Sequence, residues 1–118
     1  FEAIGTVITV DESLMDAVTA VSGSGPAYLF LLAEGMVEGA IKCGMERETA
    51  ELLVQQTLLG AATMLSTGDV PAEHLRRAVT SPGGTTEAAL DVLADHEVLH
   101  ALTDAVVAAR DRARSLSV

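Results

Sequence analysis

Apolar residues recur at three- and four-residue steps through most of this chain, and that spacing predicts a succession of helices. Glycine and proline interrupt the pattern at residues 23–26, 44, 68–71 and 82–84, where helices should end. The predicted helices span residues 12–21, 26–43, 46–66, 72–79, 85–93 and 97–116. We therefore predict an all-α fold, built as a helical bundle.

Residues 3–10 are the exception, because β-branched residues alternate there as they do in a strand. No later segment resembles a partner strand, and an isolated strand leaves its backbone groups without hydrogen bonds. The chain also starts with Phe1 instead of Met. We expect residues 1–10 to close an upstream dinucleotide-binding sheet domain and residues 11–118 to form a helical domain.

The predicted helix over residues 26–43 is too apolar to be covered by one small chain. Its polar residues, Glu34, Glu38 and Lys42, fall at four-residue steps on one stripe, and the remaining surface is apolar or small. Gly35 and Gly39 would let another backbone come close. The pattern therefore predicts a homodimer in which the bundle intertwines with a second copy.

Composition narrows the class of protein. Hydrophobic residues make up 49% of the 118 residues and aromatic residues only 3%, which favours closely packed helices over a β-sandwich. The formal net charge of −10 argues against nucleic acid or an anionic membrane surface as a partner. A single cysteine, Cys43, excludes an intrachain disulfide, and no signal peptide or spanning segment is found. We expect a soluble, cytoplasmic protein.

The turn at residues 79–87 is the strongest candidate for a binding site. Pro82 should end the preceding helix, and Gly83 and Gly84 free the backbone for close approach or positive φ. The first amides of the next helix have no intrahelical acceptor and attract a small anion such as a carboxylate. Four hydroxyls surround them, from Thr80, Ser81, Thr85 and Thr86. An ordinary helix cap explains the same residues, with Gly84 or Ser81 as N-cap and Glu87 closing a capping box.

Residues 96–100 match the H-E-x-x-H pattern of zinc proteases. The match falls at a predicted helix start, no later His or Glu offers a third ligand, and Thr103 stands where the longer pattern requires Gly. We therefore predict no metal site. Arg76 and Arg77 lie beside the turn at residues 79–87, either as a solvated basic helix end or as groups that steer an anion.

Three segments together resemble the C-terminal domain of pyrroline-5-carboxylate reductase. They are residues 16–28, which contain Gly-Ser-Gly-Pro-Ala-Tyr, residues 56–61, and residues 75–86, which contain Ser-Pro-Gly-Gly-Thr-Thr. Ala105, Val106 and residues 112–116 resemble the last helix of that family, so the resemblance covers residues 12–116. Ser115 departs from it, because the family pattern leads us to expect Glu there.

The resemblance implies reduction of 1-pyrroline-5-carboxylate to L-proline with NADPH or NADH, the last step of proline biosynthesis. It implies that the substrate carboxylate binds the amides and hydroxyls of Ser81, Gly83, Gly84, Thr85 and Thr86, with Val79 lining the pocket. It assigns the Thr86 hydroxyl a catalytic position facing the ring nitrogen. It brings Ser24, Gly25 and Pro26 near the nicotinamide, although the cofactor would be held mainly by a domain absent from this chain.

The chain has no Gly-x-Gly-x-x-Gly segment for a dinucleotide, so we expect it to be inactive alone. Two hypotheses remain. The first is an oxidoreductase part that binds substrate and forms a homodimer, or a higher oligomer. The alternative is a helical homodimerisation module without enzymatic activity.

Overall fold

The computed structural model describes residues 5–116 of the chain. A short 3₁₀ helix, Glu12–Leu14, leads into helix α1, Met15–Val18, and a π-helical turn, Thr19–Gly23. The remaining helices are α2, Gly25–Lys42; α3, Arg47–Thr67; α4, Ala72–Ala78; α5, Thr85–Asp95; and α6, Val98–Leu116. The all-α prediction is confirmed, and the bounds of these five helices agree with the predicted ones to within two residues.

The strand predicted over residues 3–10 needs a correction. Residues 5–10 form no strand in the structure, and Ala3 and Ile4 lie outside the described residues. A strand exists only through hydrogen bonds to a neighbour, and residues 5–116 provide no partner strand. Alternation of β-branched residues was therefore not sufficient to form a strand in this chain, and the assignment of residues 1–10 to an upstream domain stays a prediction.

The predicted helix over residues 12–21 is also wrong in its detail, because three helix types share this segment. Asp11 precedes it in extended conformation and accepts the Leu14 N–H through its backbone carbonyl at 2.9 Å, while its side chain makes no cap bond. Further on, the Ser24 N–H donates to the Thr19 carbonyl at 2.9 Å, a five-residue step that defines a π turn. The Ser22 hydroxyl donates to the Val18 carbonyl at 2.9 Å.

The chain divides into two compact units, a division that the sequence did not reveal. One unit contains Phe1–Pro26 and His100–Val118, and the other contains Ala27–Leu99. In the first unit, Ala20 is fully buried, and Val106, Ala109 and Ala113, which fall at helical spacing on one line of α6, are half-buried. Leu102 of the same line remains exposed, so this core is thin.

The second unit is centred on the contact between α2 and α3. Its buried core consists of Val37, Ala50 and Val54. Five partly buried apolar residues pack against that core: Ala33, Ala40, Ile41, Met45 and Leu58. Gly44, with φ of 94°, makes the tight turn between the helices, a conformation that side chains with a Cβ rarely adopt.

Ion pairs join the start of α3 to α2. The Arg47 guanidinium lies 2.8 Å from Glu38 Oε1 and 3.7 Å from Glu51 Oε1. The hydrogen bond and charge of Glu38 raise the pKa of Arg47 above its ordinary value. All three side chains are about half exposed to solvent, so these ion pairs add little stability. Their main effect is to fix the alignment of α3 along α2.

Replacing Val54 with Ala should destabilise the second unit, because the side chain is only 6% exposed and its removal leaves a cavity in a core of three residues. We expect a loss of about 1–3 kcal/mol in the free energy of unfolding, measured by urea denaturation at fixed protein concentration. Gln56→Ala, at an exposed position of α3, is the matched control and should change that free energy by less than about 0.5 kcal/mol. Equal effects of the two substitutions would contradict the assignment of Val54 to the core.

Candidate functional site

Helices α4 and α5 hold the turn at residues 79–87 from its two sides. The Thr80 N–H donates to the Arg77 carbonyl at 3.1 Å, and the Thr80 hydroxyl donates to the Arg76 carbonyl at 2.6 Å. These bonds satisfy carbonyls at the end of α4 that have no intrahelical donor. The Thr80 hydroxyl is therefore engaged by the protein, whereas the sequence placed it among the four hydroxyls around an anion.

Residues 81–84 form a tight turn. The Gly84 N–H donates to the Ser81 carbonyl at 3.0 Å, and Gly83 has φ of 71°. Proline at the second position and a glycine of positive φ at the third are the features of a type II turn. Glycine is favoured at residue 83 because an L-residue with a Cβ is strained at this φ.

Gly84 is needed for a different reason, the closeness of Ser81. A Cβ built on Gly84 would lie 2.5 Å from Ser81 Oγ and 3.0 Å from the Ser81 carbonyl oxygen. The backbone of Gly84 itself is extended, with φ of −86° and ψ of 174°, a conformation open to any residue. The glycine therefore allows the Ser81 hydroxyl to approach the start of α5.

The start of α5 presents free donors. Gly84 is the N-cap, and no side chain makes a cap hydrogen bond to the helix. Within residues 5–116, the amides of Thr85 and Thr86 have no acceptor, and they lie at the positive end of an 11-residue helix. Ser81 and Thr85 are exposed, and Thr86 is half-buried. Two amides and three hydroxyls at this end suit the two oxygens of a small carboxylate.

The capping hypothesis and the anion hypothesis each describe part of this end. Gly84 is the N-cap, as one form of the capping hypothesis predicted, but the Glu87 carboxylate accepts the N–H of Gly83, at 2.7 Å, instead of the N–H of Gly84. The amides of Gly83 and Gly84 are thus both bonded within the protein. Of the five residues predicted to hold a carboxylate, only Ser81, Thr85 and Thr86 offer donors that have no bond within residues 5–116.

The remaining predicted residues beside the turn are open to solvent. Val79 is 62% exposed, which leaves its side chain available as an apolar wall. Arg77 pairs with Glu73 at 2.5 Å on the exposed surface of α4. Arg76 is exposed and has no carboxylate partner among the described residues, so it adds positive charge near the end of α4.

Ser24, Gly25 and Pro26 belong to the first unit, whereas the turn belongs to the second. Ser24 separates the π turn from α2, and Gly25 opens α2. Pro26 stands in the first turn of α2, where the missing N–H costs no hydrogen bond. A Cβ built on Gly25 would meet no atom within 4 Å, so the space beside this glycine is open.

The H-E-x-x-H residues do not share a helix. His96 caps the end of α5, Glu97 has positive φ of 51°, and α6 begins only at Val98. The two imidazoles therefore lack the one-turn spacing that a zinc protease requires. His100 lies 3.5 Å from Asp104. Nowhere in residues 5–116 do three or more His, Cys, Asp or Glu side chains come together to hold a metal ion.

A groove of about 330 Å³ lies elsewhere in the second unit, between α2 and α3. Glu34, Glu38, Arg47 and Glu51 line it together with apolar side chains, and no residue of the turn at residues 79–87 does so. Volume alone does not make it the site, because three of its charged groups, Glu38, Arg47 and Glu51, pair with one another. Within residues 5–116, no helix combines the length and the hydropathy that a membrane-spanning segment needs.

Similarity to known proteins indicates the family of this chain. A family model described as pyrroline-5-carboxylate reductase dimerisation matches residues 12–116. A pyrroline-5-carboxylate reductase of Arabidopsis thaliana is 49% identical over 118 residues, which cover 99% of this chain and 42% of that relative.

Solved structures agree with that match. A pyrroline-5-carboxylate reductase from Coxiella burnetii is 45% identical with a TM-score of 0.91, over 97% of this chain and 43% of that one. The pyrroline carboxylate reductase of Plasmodium falciparum, solved with NADP bound, is 33% identical with a TM-score of 0.91, over 100% of this chain and 45% of that one. The chain thus spans less than half the length of these relatives.

Proposed function

The chain belongs to the pyrroline-5-carboxylate reductase family, and we propose that the protein carrying it reduces 1-pyrroline-5-carboxylate to L-proline with NAD(P)H, the last step of proline biosynthesis. The chain would supply the substrate-binding and dimerisation part of that enzyme. The observation that carries this proposal is the pair of free amides at the start of α5, beside the Ser81 and Thr86 hydroxyls. We also infer a cytoplasmic location, in keeping with the single Cys43.

The turn would position the substrate through its carboxylate. The Thr85 and Thr86 amides and the Ser81 hydroxyl would donate to the two carboxylate oxygens, and the charge would be stabilised by the dipole of α5. Gly83 and Gly84 would serve by shaping the turn, because their own amides are bonded inside it. Val79, which is exposed, would cover the apolar side of the ring.

Reduction of an imine adds a hydride to the ring carbon and a proton to the nitrogen, and the reduced nicotinamide supplies the hydride when it is bound. The contribution of this chain would be to hold the ring in one orientation. The Thr86 hydroxyl would hydrogen-bond the ring nitrogen, whose proton count changes during the reaction. Its half-buried position favours such a bond over one to bulk water.

The described residues do not fit a dinucleotide by themselves. They are helical, and they lack a glycine-rich turn between a strand and a helix, where a pyrophosphate ordinarily binds. We therefore assign the cofactor, NADPH or NADH, mainly to a part of the protein outside this chain. Ser24, Gly25 and Pro26 would approach only its nicotinamide end, and the open space beside Gly25 supports this placement.

Homodimerisation is the second part of the proposal. The far face of α2, which we define as Leu32, Gly35 and Gly39, lies on the side of the helix opposite Val37 and its α3 contacts. A Cβ at Gly35 or Gly39 would meet no atom of the described residues within 4 Å, so contacts among those residues do not explain these glycines. Each costs about 1 kcal/mol of helix stability relative to Ala. Close approach of a second copy, as in an intertwined dimer, would explain them.

Thr86→Ala in the full-length protein tests the site. The methyl side chain removes the hydroxyl that would bond the ring nitrogen, while the Thr86 amide and its helix remain. We expect kcat/KM for the imino acid to fall by about tenfold to thirtyfold, the cost of one hydrogen bond to a charged or charging group. Steady-state kinetics and light scattering together should show lower turnover with an unchanged oligomer.

Thr67→Ala is the matched control, since the Thr67 hydroxyl only donates to the Thr63 carbonyl at 2.8 Å on the surface of α3. Its kinetics should equal those of the wild type. Unchanged kinetics of Thr86→Ala would remove Thr86 from the site. A full-length wild type that forms a dimer but never reduces the imino acid would instead favour the homodimerisation module without enzymatic activity.

A further inference from the structure

The Glu87 carboxylate is the charged group at the turn, and the proposed function gives it no role. Its Oε2 atom accepts the Gly83 N–H at 2.7 Å, although a capping box would direct it to the N–H of the N-cap residue Gly84. Glu87 is exposed, and no cation pairs with it among the described residues. An anion of the protein itself therefore already occupies one donor of the turn.

We propose that Glu87 is a positioning residue with two opposed effects on the site: its hydrogen bond holds Gly83 in the turn, and its negative charge weakens the binding of a carboxylate ligand. This inference rests on the proposed function, because it concerns the ligand assigned to the same turn. The ligand class is a small imino or amino acid with a free carboxylate.

The hydrogen bond acts through the backbone. Gly83 has φ of 71°, and in this conformation of the turn its N–H donates to Glu87 Oε2 at 2.7 Å. The bond thus links the glycine to the first turn of α5, four residues along the chain. Holding Gly83 also holds Gly84 and Ser81, which are bonded to each other across the turn at 3.0 Å.

The charge acts through space. Consecutive Cα atoms are about 3.8 Å apart, so the Cα atoms of Gly83 and Thr85 lie within about 8 Å of each other. The Glu87 carboxylate lies at the Gly83 N–H. A carboxylate bound to the Thr85 and Thr86 amides would therefore lie within about one Debye length of the Glu87 charge at physiological salt. Like charges at such a separation repel, and removing one of them should tighten binding by about threefold to tenfold.

The consequence concerns the product as well as the substrate. Both carry the carboxylate that the turn would bind, so the Glu87 charge would weaken retention of L-proline along with binding of the imino acid. A site with tight carboxylate binding would hold the product after turnover. The negative charge of Glu87 therefore favours release of L-proline from the site.

Glu87→Gln and Glu87→Ala in the full-length protein separate the two effects. Glutamine keeps an oxygen that accepts the Gly83 N–H but carries no charge, so KM for the imino acid and the inhibition constant of L-proline should both fall by about threefold to tenfold. The gain should shrink at about 1 M salt, where the Debye length is near 3 Å. Alanine removes the charge and the hydrogen bond, so kcat should fall below that of the glutamine variant, with faster hydrogen exchange at the Gly83 amide.

Asp91→Asn is the matched control. Asp91 lies one turn further along α5, is exposed, and has no hydrogen bond or ion pair among the described residues. The substitution makes the same change in net charge about 6 Å further from the helix start, and KM and its salt dependence should stay within about twofold of the wild type.

The outcomes are separable. An active wild type in which Glu87→Gln leaves KM, the proline inhibition constant and their salt dependence unchanged overturns the inference and leaves the proposed function standing. An equal fall in KM for Asp91→Asn also overturns it, because net charge and not position would then be the cause. A wild type without reductase activity overturns the proposed function, and the inference with it.

Discussion

Replacing Leu32 with Asp should abolish the homodimer of the full-length protein. Leu32 is 48% exposed in the single chain and lies on the far face of α2, next to the unexplained glycines Gly35 and Gly39. Burial of each copy of this side chain in an interface is worth about 2–3 kcal/mol, and a two-fold axis doubles the effect. A charged replacement without a partner costs more, so the dimer dissociation constant should rise by at least about a thousandfold.

Light scattering checks this on the chain of 118 residues as well as on the full-length protein. We expect a dimer mass for the wild-type chain and a monomer mass for Leu32→Asp. Thr49→Asp is the control, since Thr49 is exposed in the first turn of α3, where a negative charge is favourable. A wild-type chain of monomer mass would refute the dimer, and a dimeric Leu32→Asp would exclude the far face of α2 from the interface.

The helices could be predicted because their ends are local events. Gly44, Gly68 and Pro82 stop or separate helices through backbone geometry that needs no tertiary contact, and the predicted bounds are correct to within two residues there. The π turn at residues 19–23 could not be predicted, since a five-residue hydrogen-bond step has no distinct apolar period.

Burial was harder to predict than helix position. Ala50, Leu53, Val54 and Leu65 fall at helical spacing on one apolar face of α3, yet Ala50 and Val54 are buried while Leu53 and Leu65 remain about half exposed. Periodicity identifies an apolar face, but it does not show whether the residues that bury this face belong to the same chain or to a second copy. The excess of exposed leucine on α2 and α3 is what the intertwined dimer would bury.

At the candidate site, the sequence predicted which residues form the turn but not how its hydrogen bonds are shared. The Ser-Pro-Gly-Gly order indicated a glycine of positive φ and a helix start, and both are present. The bond from Gly83 to Glu87 differs by one residue from a capping box, and sequence spacing does not resolve that difference. The Thr85 and Thr86 amides are free because they lie in the first turn of α5, where the helix itself offers no acceptor.

Replacing Gly84 with Ala should lower kcat/KM by about a hundredfold or more, with little loss of helix content by circular dichroism. The new Cβ would lie 2.5 Å from Ser81 Oγ and 3.0 Å from the Ser81 carbonyl oxygen, so the hydroxyl must move and the turn must open slightly. The substitution thus displaces the Ser81 hydroxyl, which is a proposed carboxylate contact, and at the same time shifts the neighbouring amides. A misplacement of about 1 Å is sufficient for a loss of that size.

Ser81→Ala and the double variant Ser81→Ala/Gly84→Ala identify the cause of that loss. If the Cβ acts mainly by displacing the Ser81 hydroxyl, the double variant should have nearly the same kcat/KM as Ser81→Ala alone, because the group that is displaced is already absent. Gly83→Asn is the control within the turn, since asparagine tolerates positive φ and a Cβ at residue 83 meets no atom within 4 Å. It should keep kcat/KM within about tenfold of the wild type, because strain at this residue costs roughly 1 kcal/mol. Additive losses in the double variant would place the damage in the backbone of the turn, and wild-type kinetics for Gly84→Ala would separate the turn from catalysis altogether.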